Sequence, residues 1–240
     1  VYFFYDNGSR AEKVILDELK NYKGTIQSDG LNAYKKVMLQ SEGKILRLAC
    51  LQHCKRDFID MTGNPESDEI IKLCNQLYQE EHRHKIGFND WSVEDNLEWR
   101  QKYAPPILMQ LKEKLLQIKG NQKKYPPKSP MYKAANYMLN EWDGIEAIPT
   151  GGDYSWDNNL IERLNRYVSL SRKNSLFFGS HEGAKRGCIF YSLACSCRLH
   201  KINFFEYLTD ILNRTEILNR NPSIEAYRNI LPDRWRKQEQ

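Results

Sequence analysis

The sequence predicts an α/β fold in which a helical insertion interrupts the part that forms the sheet. Over residues 1–50, short apolar runs rich in β-forming residues alternate with helical patterns, as in α/β proteins. The run KILRLAC at 44–50 is apolar almost throughout, which is typical of a strand in a buried parallel sheet. Residues 65–140 repeat apolar side chains at helical spacing without a convincing strand pattern.

The elements follow from turn and capping signals. The run VYFFY at 1–5 predicts a strand that ends at the turn beginning with Asp6, and Ser9 with Glu12 has the spacing of a capping box. The pair of prolines at 105 and 106 predicts a break between two helices. The further predictions are helices over 10–22, 31–40, 132–142, 182–200 and 204–212, and strands over 25–28 and 44–50.

Composition sets broad limits on the class of protein. The 36 Lys and Arg against 31 Asp and Glu give a net charge of +5, which is compatible with a nucleic-acid partner but does not require one. No apolar run approaches the roughly 18 residues of a membrane span, so no membrane partner is expected. Three of the six cysteines lie in an apolar helical pattern, and a reducing cytoplasm is the expected compartment. A strand at the first residue predicts that the sequence begins within a domain.

Two acids are candidate metal ligands. Asp29 follows the predicted strand 25–28, at the end where ligands gather in α/β sheets. Glu162 lies near the start of a predicted helix whose apolar stripe leaves it on the polar face. The alternatives are a turn role for Asp29, which precedes a glycine, and a capping-box role for Glu162 with Asn159 and an ion pair to Arg166. The apolar stripe consists of Leu160, Ile161, Leu164, Tyr167 and Val168, and the candidate N-caps are Ser155, Asp157 and Asn159.

The run from Cys50 to Cys54 contains His53 and allows a zinc interpretation. A structural zinc site needs four ligands, usually in two close pairs, and the pair His82 and His84 has the wrong spacing. No zinc is therefore expected in this chain, although a zinc-binding regulatory domain stays open as an alternative. His53 is interpreted as a pocket histidine, either hydrogen-bonded in a structural role or close to the reacting phosphate as a support of the active site.

Basic residues surround Glu162. Arg163, Arg166, Arg172 and Lys173 are candidate DNA contacts, because a site for a polyanion needs cations that hold phosphates. A solvated charged surface is the alternative. The aromatic pair Phe177 and Phe178 is interpreted as core rather than as a platform for base stacking.

Four motifs occur in a recognisable order: SDGLNAY at 28–34, ACLQHCKRDF at 49–58, DNNLIER at 157–163 and SRKNSLFFGS at 171–180. With them, the chain closely resembles the bacterial insertion-sequence-sixty-six family of transposases. The resemblance implies a ribonuclease-H-like catalytic domain, with a mixed sheet and flanking helices, that uses three acids and two Mg²⁺ or Mn²⁺ ions. It makes Asp29 the second acid and Glu162 the third, and it places the first acid upstream of this chain.

The resemblance also implies what the protein does. The expected reaction is metal-dependent phosphodiester cleavage and strand transfer at transposon ends, with the chain inactive when alone. The expected partners are double-stranded DNA, as transposon ends and target, and further copies of the protein assembled on DNA in the bacterial cytoplasm, at the nucleoid. The alternative is a non-catalytic module for DNA binding or subunit association. The predicted domains are a first core part at 1–64, the insertion at 65–140, a second core part at 141–200 and a C-terminal helix and tail at 201–240.

Overall fold

The computed structural model describes residues 1–9, 11–87, 92–220 and 222–236, with side chains at 80, 83–87 and 215–218 left out of the description. The chain divides into two compact units. The sheet unit is Ala11–Leu160, and the helical unit combines Val1–Arg10 with Ile161–Gln240. The predicted domain boundaries at 64, 140 and 200 stay a prediction.

The sheet unit contains two strands and most of the helices. Its βαβ motif is flanked by a helix on the N-terminal side and by a succession of helices on the C-terminal side. In chain order the elements are α1 (Glu12–Leu19), β1 (Gly24–Ser28), α2 (Asn32–Gln40), β2 (Ile45–Ala49), α3 (Leu51–Ile59), α4 (Pro65–Gly87), α5 (Val93–Gly120), α6 (Pro130–Asn140), α7 (Trp142–Glu146) and a 3₁₀ turn (Ile148–Thr150). The helix α8 (Asn159–Ser175) begins in the last two residues of this unit.

The sheet overturns the expectation of a ribonuclease-H-like mixed sheet with flanking helices. β1 and β2 pair in parallel, with Gly24 opposite Ile45 and Ser28 opposite Ala49, and they are the only strands in the described residues. The expected third strand at 1–5 is wrong, because this segment pairs with no strand of the described residues and bonds to side chains of a helix in the helical unit. The amino group of Val1 donates to Ser196 Oγ at 2.7 Å and Phe3 N–H donates to Ser192 Oγ at 2.8 Å.

One hydrophobic core joins β2 to the helices that follow it. Leu48 and Ala49 of β2 lie in the same buried cluster as Phe58 of α3. From α4, α5 and α6 the cluster includes Ile70, Cys74, Leu77, Leu108, Leu111, Leu115, Ala134, Ala135 and Met138. Burial of this apolar surface is the main stabilising contribution, and the helices of region 65–140 share it with β2.

The helix α5 continues through Pro105 and Pro106, so the predicted break at this point is wrong. Ala104 and Leu108 are buried on one face of α5, whereas both prolines are exposed. Each proline removes a backbone donor from the helix, which costs about 3 kcal/mol in an interior position. Packing of the apolar face therefore outweighs the local preference for a break.

A capping box is present at the start of α5, whereas the one predicted at the start of α1 is not. Ser92 Oγ accepts the Asp95 N–H and the Asp95 carboxylate accepts the Ser92 N–H, which together form a capping box at the start of α5. The box predicted from Ser9 and Glu12 is wrong. α1 begins at Glu12, with Ala11 at the N-cap and no side chain bonded there.

The helical unit contains the rest of α8, followed by α9 (His181–Leu199), α10 (Phe204–Arg220) and α11 (Ile224–Asn229). Its core is small and centres on Cys197, Tyr207 and Trp235. Tyr207 Oη donates to Ile230 O at 2.9 Å, and Trp235 Nε1 donates to the Asp210 carboxylate at 2.6 Å. Within the described parts of the chain, no helix has the length and apolar character needed to cross a bilayer.

Candidate catalytic site

Asp29 lies directly after β1, at the carboxyl end of the parallel pair. Because Ser28 is opposite Ala49, Asp29 and Cys50 leave the sheet side by side. The Asp29 side chain is half-buried, and its Oδ1 accepts the Leu31 N–H at 3.2 Å, ahead of α2. In α/β sheets, ligands gather beyond the carboxyl ends of parallel strands, and Asp29 lies at such an end.

A buried charge network holds the backbone beside Asp29. Arg47 of β2 donates through Nε to Ser28 Oγ at 3.0 Å and through Nη2 to Asp29 O at 2.7 Å. The same Nη2 contacts Glu141 Oε2 at 2.5 Å, and Lys35 contacts the other oxygen of Glu141 at 2.6 Å. A buried charge without a partner is costly, so this pairing keeps the strand end in one position.

This network was not predicted from the sequence, although a signal for it exists. Arg47 interrupts an otherwise apolar strand, and a charged side chain at a buried strand position requires a partner of opposite charge. The partner Glu141 lies far along the chain, just after α6, so no local pattern connects the two residues.

Two tyrosines pack around the same strand end. Burial, and then the Asp29 carboxylate, raises the pKa of Tyr34 above its usual value. Burial raises the pKa of Tyr137 to about 12, with smaller contributions from Cys54 and Glu141. Both phenols therefore stay protonated at neutral pH and act only through hydrogen bonds. A Cβ at Gly30 would lie 2.7 Å from Tyr137 Cε2, so this ring occupies the space beside the turn.

His53 lies in the first turn of α3, which begins directly after β2. The thiols beside it are poor metal ligands in this environment, because burial is the main cause that raises the pKa of both Cys50 and Cys54. The side chain of His84 lies outside the described residues. Among the residues that are described, no three His, Cys, Asp or Glu side chains form a group that could hold a metal ion.

The return segment, residues 151–158, brings the chain back to the strands before α8. Trp156 O accepts the Leu51 N–H at 2.8 Å, and Ser155 O accepts from Gln27 Nε2 at 2.6 Å. Thr25 of β1 is bonded to the Tyr154 hydroxyl at 3.0 Å. The return segment therefore lies along the strand pair, although it comes after the whole helical region in sequence.

A second buried ion pair holds the return segment. Arg100 of α5 contacts Glu81 of α4 at 2.8 Å, and it also donates to Gly151 O at 2.5 Å and to Tyr154 O at 2.6 Å. Glu81 in turn accepts from Trp156 Nε1 at 2.7 Å. These residues were not predicted from the sequence. The available signal was Arg100 itself, four residues before the buried Ala104 on the apolar face of α5.

The helix α8 begins at Asn159, where Asp157 Oδ1 accepts the Asn159 N–H at 3.0 Å. Asn159 is thus helical, and it does not occupy the N-cap position that a capping box with Glu162 requires. The predicted apolar stripe is buried only at Leu164. Val168 is half-buried, and Leu160, Ile161 and Tyr167 are exposed by 54%, 46% and 38%.

The predicted polar residues of α8 all face solvent. Glu162 is exposed in the first turn of the helix, together with Arg163 and Arg166 further along. Arg172 and Lys173 are exposed in the last turn, where cations also interact favourably with the helix dipole. Asp29 and His53 belong to the sheet unit, whereas Glu162 and these four cations belong to the helical unit. From the resemblance we also expect Asp29 and Glu162 to lie within roughly 8 Å of each other, close enough to flank a two-metal site, and this stays a prediction.

The interpretation of Phe177 and Phe178 as core residues is wrong. Phe177 is 82% exposed and Phe178 is 44% exposed, in the loop between α8 and α9. The pattern of two adjacent aromatic residues did not show that α8 ends at Ser175, two residues before Phe177.

Comparison with known proteins identifies the class to which these motifs belong. Residues 1–186 match the family described as Transposase IS66 family. The match covers more than half of the chain, so the chain belongs to this family, as the four motifs predicted, and its function is transposase-related.

Curated relatives extend the similarity to nearly the whole chain. Uncharacterized protein y4jD of Sinorhizobium fredii is 33% identical over 235 residues, which cover 95% of this chain and 44% of that relative. Uncharacterized protein y4hP of the same organism is 26% identical over 251 aligned positions, covering 98% of this chain and 44% of that relative. The chain thus spans less than half the length of these relatives. No solved structure matches the chain.

Proposed function

We propose that this chain supplies part of the catalytic centre of a DNA transposase, which cleaves phosphodiesters at transposon ends and transfers the strands to target DNA. The observation that carries the proposal is the arrangement of side chains and backbone around Asp29. Arg47 and Glu141 fix the backbone of this residue, while its carboxylate stays half-exposed at the carboxyl end of a parallel strand pair. Membership of the IS66 family supports the same reaction class.

The donor chemistry of Asp29 and Glu162 fits Mg²⁺ or Mn²⁺, since both ions prefer carboxylate oxygens. When bound, two such ions activate the attacking oxygen and stabilise the leaving oxygen of the phosphodiester. Asp29 would hold metal from a rigid strand end, and Glu162 would do so from the first turn of α8. Two acids do not complete a site that uses three carboxylates, and we propose that the third is supplied from outside this chain.

The basic residues of α8 would position the DNA. From Arg163 to Ser180 the sequence contains four Arg or Lys residues and no acid. All four cations are exposed, so they can contact phosphates without first breaking a buried pair. Such contacts hold the duplex in register without reading its sequence. His53 is proposed only as a supporting residue near the strand end.

Metal binding tests the roles of the two acids without requiring activity. We expect Asp29→Asn and Glu162→Gln each to weaken Mn²⁺ binding at least about tenfold in titration calorimetry. If the two acids share an ion, the loss of Mn²⁺ binding free energy in the double variant is smaller than the sum of the losses in the two single variants, because the effects of residues that share a partner are not additive. Asp60→Asn and Glu182→Gln, which change exposed acids elsewhere, are the matched controls.

A second candidate function is a non-catalytic module for DNA binding or subunit association. The absence of any group of three metal-binding side chains among the described residues favours this candidate. A cleavage assay with Mn²⁺ and a duplex that carries a transposon end separates the two. Cutting by the 240-residue chain alone, lost in Glu162→Gln but not in Glu182→Gln, rejects the second candidate. Unchanged Mn²⁺ affinity in both Asp29→Asn and Glu162→Gln rejects the first.

A further inference from the structure

We propose that Phe177 is a stacking platform for an unpaired nucleotide of the bound DNA. The inference rests on the proposed function, because it assumes that DNA lies along the basic residues of α8. It concerns the aromatic loop, defined as residues 176–180 between α8 and α9, which the roles proposed for Asp29 and Glu162 do not use.

The backbone of the aromatic loop turns sharply at both ends. Leu176 has a φ of 52°, in the left-handed region that non-glycine residues seldom adopt, and its N–H donates to Arg172 O at 3.1 Å. Gly179 has a φ of 76°, and Ser180 Oγ then caps α9 by accepting the Gly183 N–H at 3.0 Å. The loop is therefore bounded by a helix end and a capped helix start.

Phe178 anchors the loop to α9. Its ring meets Tyr191 edge to face, with 6.4 Å between the ring centroids. It also covers Gly187, where an added Cβ would lie 2.6 Å from Phe178 Cε1. Its neighbour Phe177 does not share this packing and is 82% exposed. An exposed aromatic ring on an anchored loop loses little conformational entropy when it stacks on a ligand.

The charge of the surrounding chain favours nucleic acid as the ligand. Arg172 and Lys173 are exposed in the last turn of α8, four and three residues before the loop. The loop and its approach contain hydroxyl and amide side chains at Asn174, Ser175 and Ser180, which can donate to phosphate oxygens. Cations along a backbone path with an aromatic ring at its end are the usual means of binding unpaired nucleotides.

A single aromatic ring is sufficient to bind one unpaired base, because the base stacks on the ring and needs no hydrogen-bonded partner. Each base stacked on an aromatic side chain contributes about 5- to 150-fold in affinity. Bases become available for stacking only where a duplex is opened or frayed, as at a DNA end. Phe177 is accordingly expected to distinguish DNA with unpaired nucleotides from blunt duplex DNA, whereas Arg172 is expected to bind both.

The test compares the affinity of the 240-residue chain for two DNAs of equal length, a blunt duplex and one with unpaired terminal nucleotides, one of which is 2-aminopurine. We expect Phe177→Ala to weaken binding of the unpaired DNA about 5- to 150-fold and of the blunt duplex less than about twofold. Phe177→Trp is expected to restore binding and the quenching of 2-aminopurine fluorescence. Leu176→Ala, at a neighbouring exposed residue without an aromatic ring, is the matched control, with changes below about twofold.

Each other outcome overturns the proposal in a distinct way. If Phe177→Ala binds both DNAs as tightly as the parent chain, stacking is rejected and DNA binding stands. If the parent chain binds neither DNA, DNA binding by this chain is rejected together with the stacking role. If Phe177→Ala changes only the oligomeric state in sedimentation, the loop contacts a second copy of the chain instead. Circular dichroism checks that the exposed substitution leaves the fold intact.

Discussion

Asp29 is held mainly through its backbone, which leaves most of its carboxylate available. Arg47 and Ser28 bond the peptide carbonyl, while the carboxylate accepts one backbone N–H from Leu31. The neighbouring Gly30 lies against the Tyr137 ring. The position of the acid therefore depends on close packing at a residue without a side chain.

The first prediction concerns this packing. Gly30→Ala should lower the free energy of unfolding by about 1–3 kcal/mol, because the new methyl group overlaps the ring of Tyr137. Urea denaturation followed by circular dichroism measures the change. Gly120→Ala is the matched control, since nothing lies within 4 Å of a Cβ at that helical position and no loss is expected.

A double-variant cycle makes the test specific. The cost of Gly30→Ala should fall when Tyr137 is also replaced by Ala, since the two groups compete for the same space. An equal cost in both backgrounds would show that the destabilisation has another source, such as the turn conformation.

At the residue scale, the sequence predicted the position of Asp29 after β1 but not what fixes it. Local patterns identify a strand end followed by an Asp-Gly pair. Arg47 and Glu141 find each other only through the tertiary fold, as do Glu81 and Arg100. The prediction that Phe177 is buried was wrong for the same reason, because exposure depends on neighbours that no local pattern specifies.

At the element scale, α5 shows that tertiary packing can override a strong local signal. Its buried face contains Leu108, Leu111 and Leu115 on the side that packs against α4 and α6. Pro106 lies on the opposite, exposed side. Helical periodicity predicted the existence of these helices correctly, whereas the proline pair gave the wrong boundary.

The second prediction follows from the proline geometry. Pro106→Ala should raise the free energy of unfolding by about 1–3 kcal/mol, because alanine restores a backbone donor and removes the ring from an exposed helix interior. The urea midpoint measures this effect. Pro127→Ala, in the exposed connector before α6, serves as the comparison and should lose about 0.4–1 kcal/mol through the greater freedom of the unfolded chain. A lower midpoint for Pro106→Ala would contradict the explanation.

Strands were harder to predict than helices. The run at 1–5 has strand-like composition, but the Val1 amino group and the Phe3 N–H donate to serine side chains of α9 instead of to a neighbouring strand. A helix satisfies its own backbone, while a strand requires a partner from elsewhere. The expectation of a larger mixed sheet failed on this point, although the parallel pairing of β1 and β2 followed from their βαβ arrangement.

At the scale of the whole molecule, both units contain buried groups that resist ionisation. In the sheet unit, burial raises the pKa of Cys74 to about 12, and it is also the main cause that raises the pKa of Tyr137 to about 12. In the helical unit, burial raises the pKa of Cys197 to about 11 and that of Tyr207 to about 12. The ordinary values are about 8.5 for a thiol and about 10 for a phenol.

The third prediction is that both units lose stability at alkaline pH. Above about pH 8.5 the unfolded chain releases these protons while the folded chain retains them, so the free energy of unfolding falls as pH rises towards about 12. Urea midpoints at pH 7, 9.5 and 11 measure the slope. Replacing Cys74 by Ala removes one of the groups and should make the slope shallower, even if the cavity lowers stability at every pH. A midpoint independent of pH over this range would contradict the assignment.

The return segment has a consequence for the rate of folding. The hydrogen bond between Gln27 of β1 and Ser155 of this segment joins residues that are 128 apart in sequence. By contrast, β1 and β2 are separated only by α2 and its turns. Closing the longer loop costs more chain entropy, and contacts of this range slow folding. We expect the strand pair to form early and the return segment to dock only after α4 and α5 have brought Glu81 and Arg100 together. The point at which α8 begins would then be set in one of the last steps of folding.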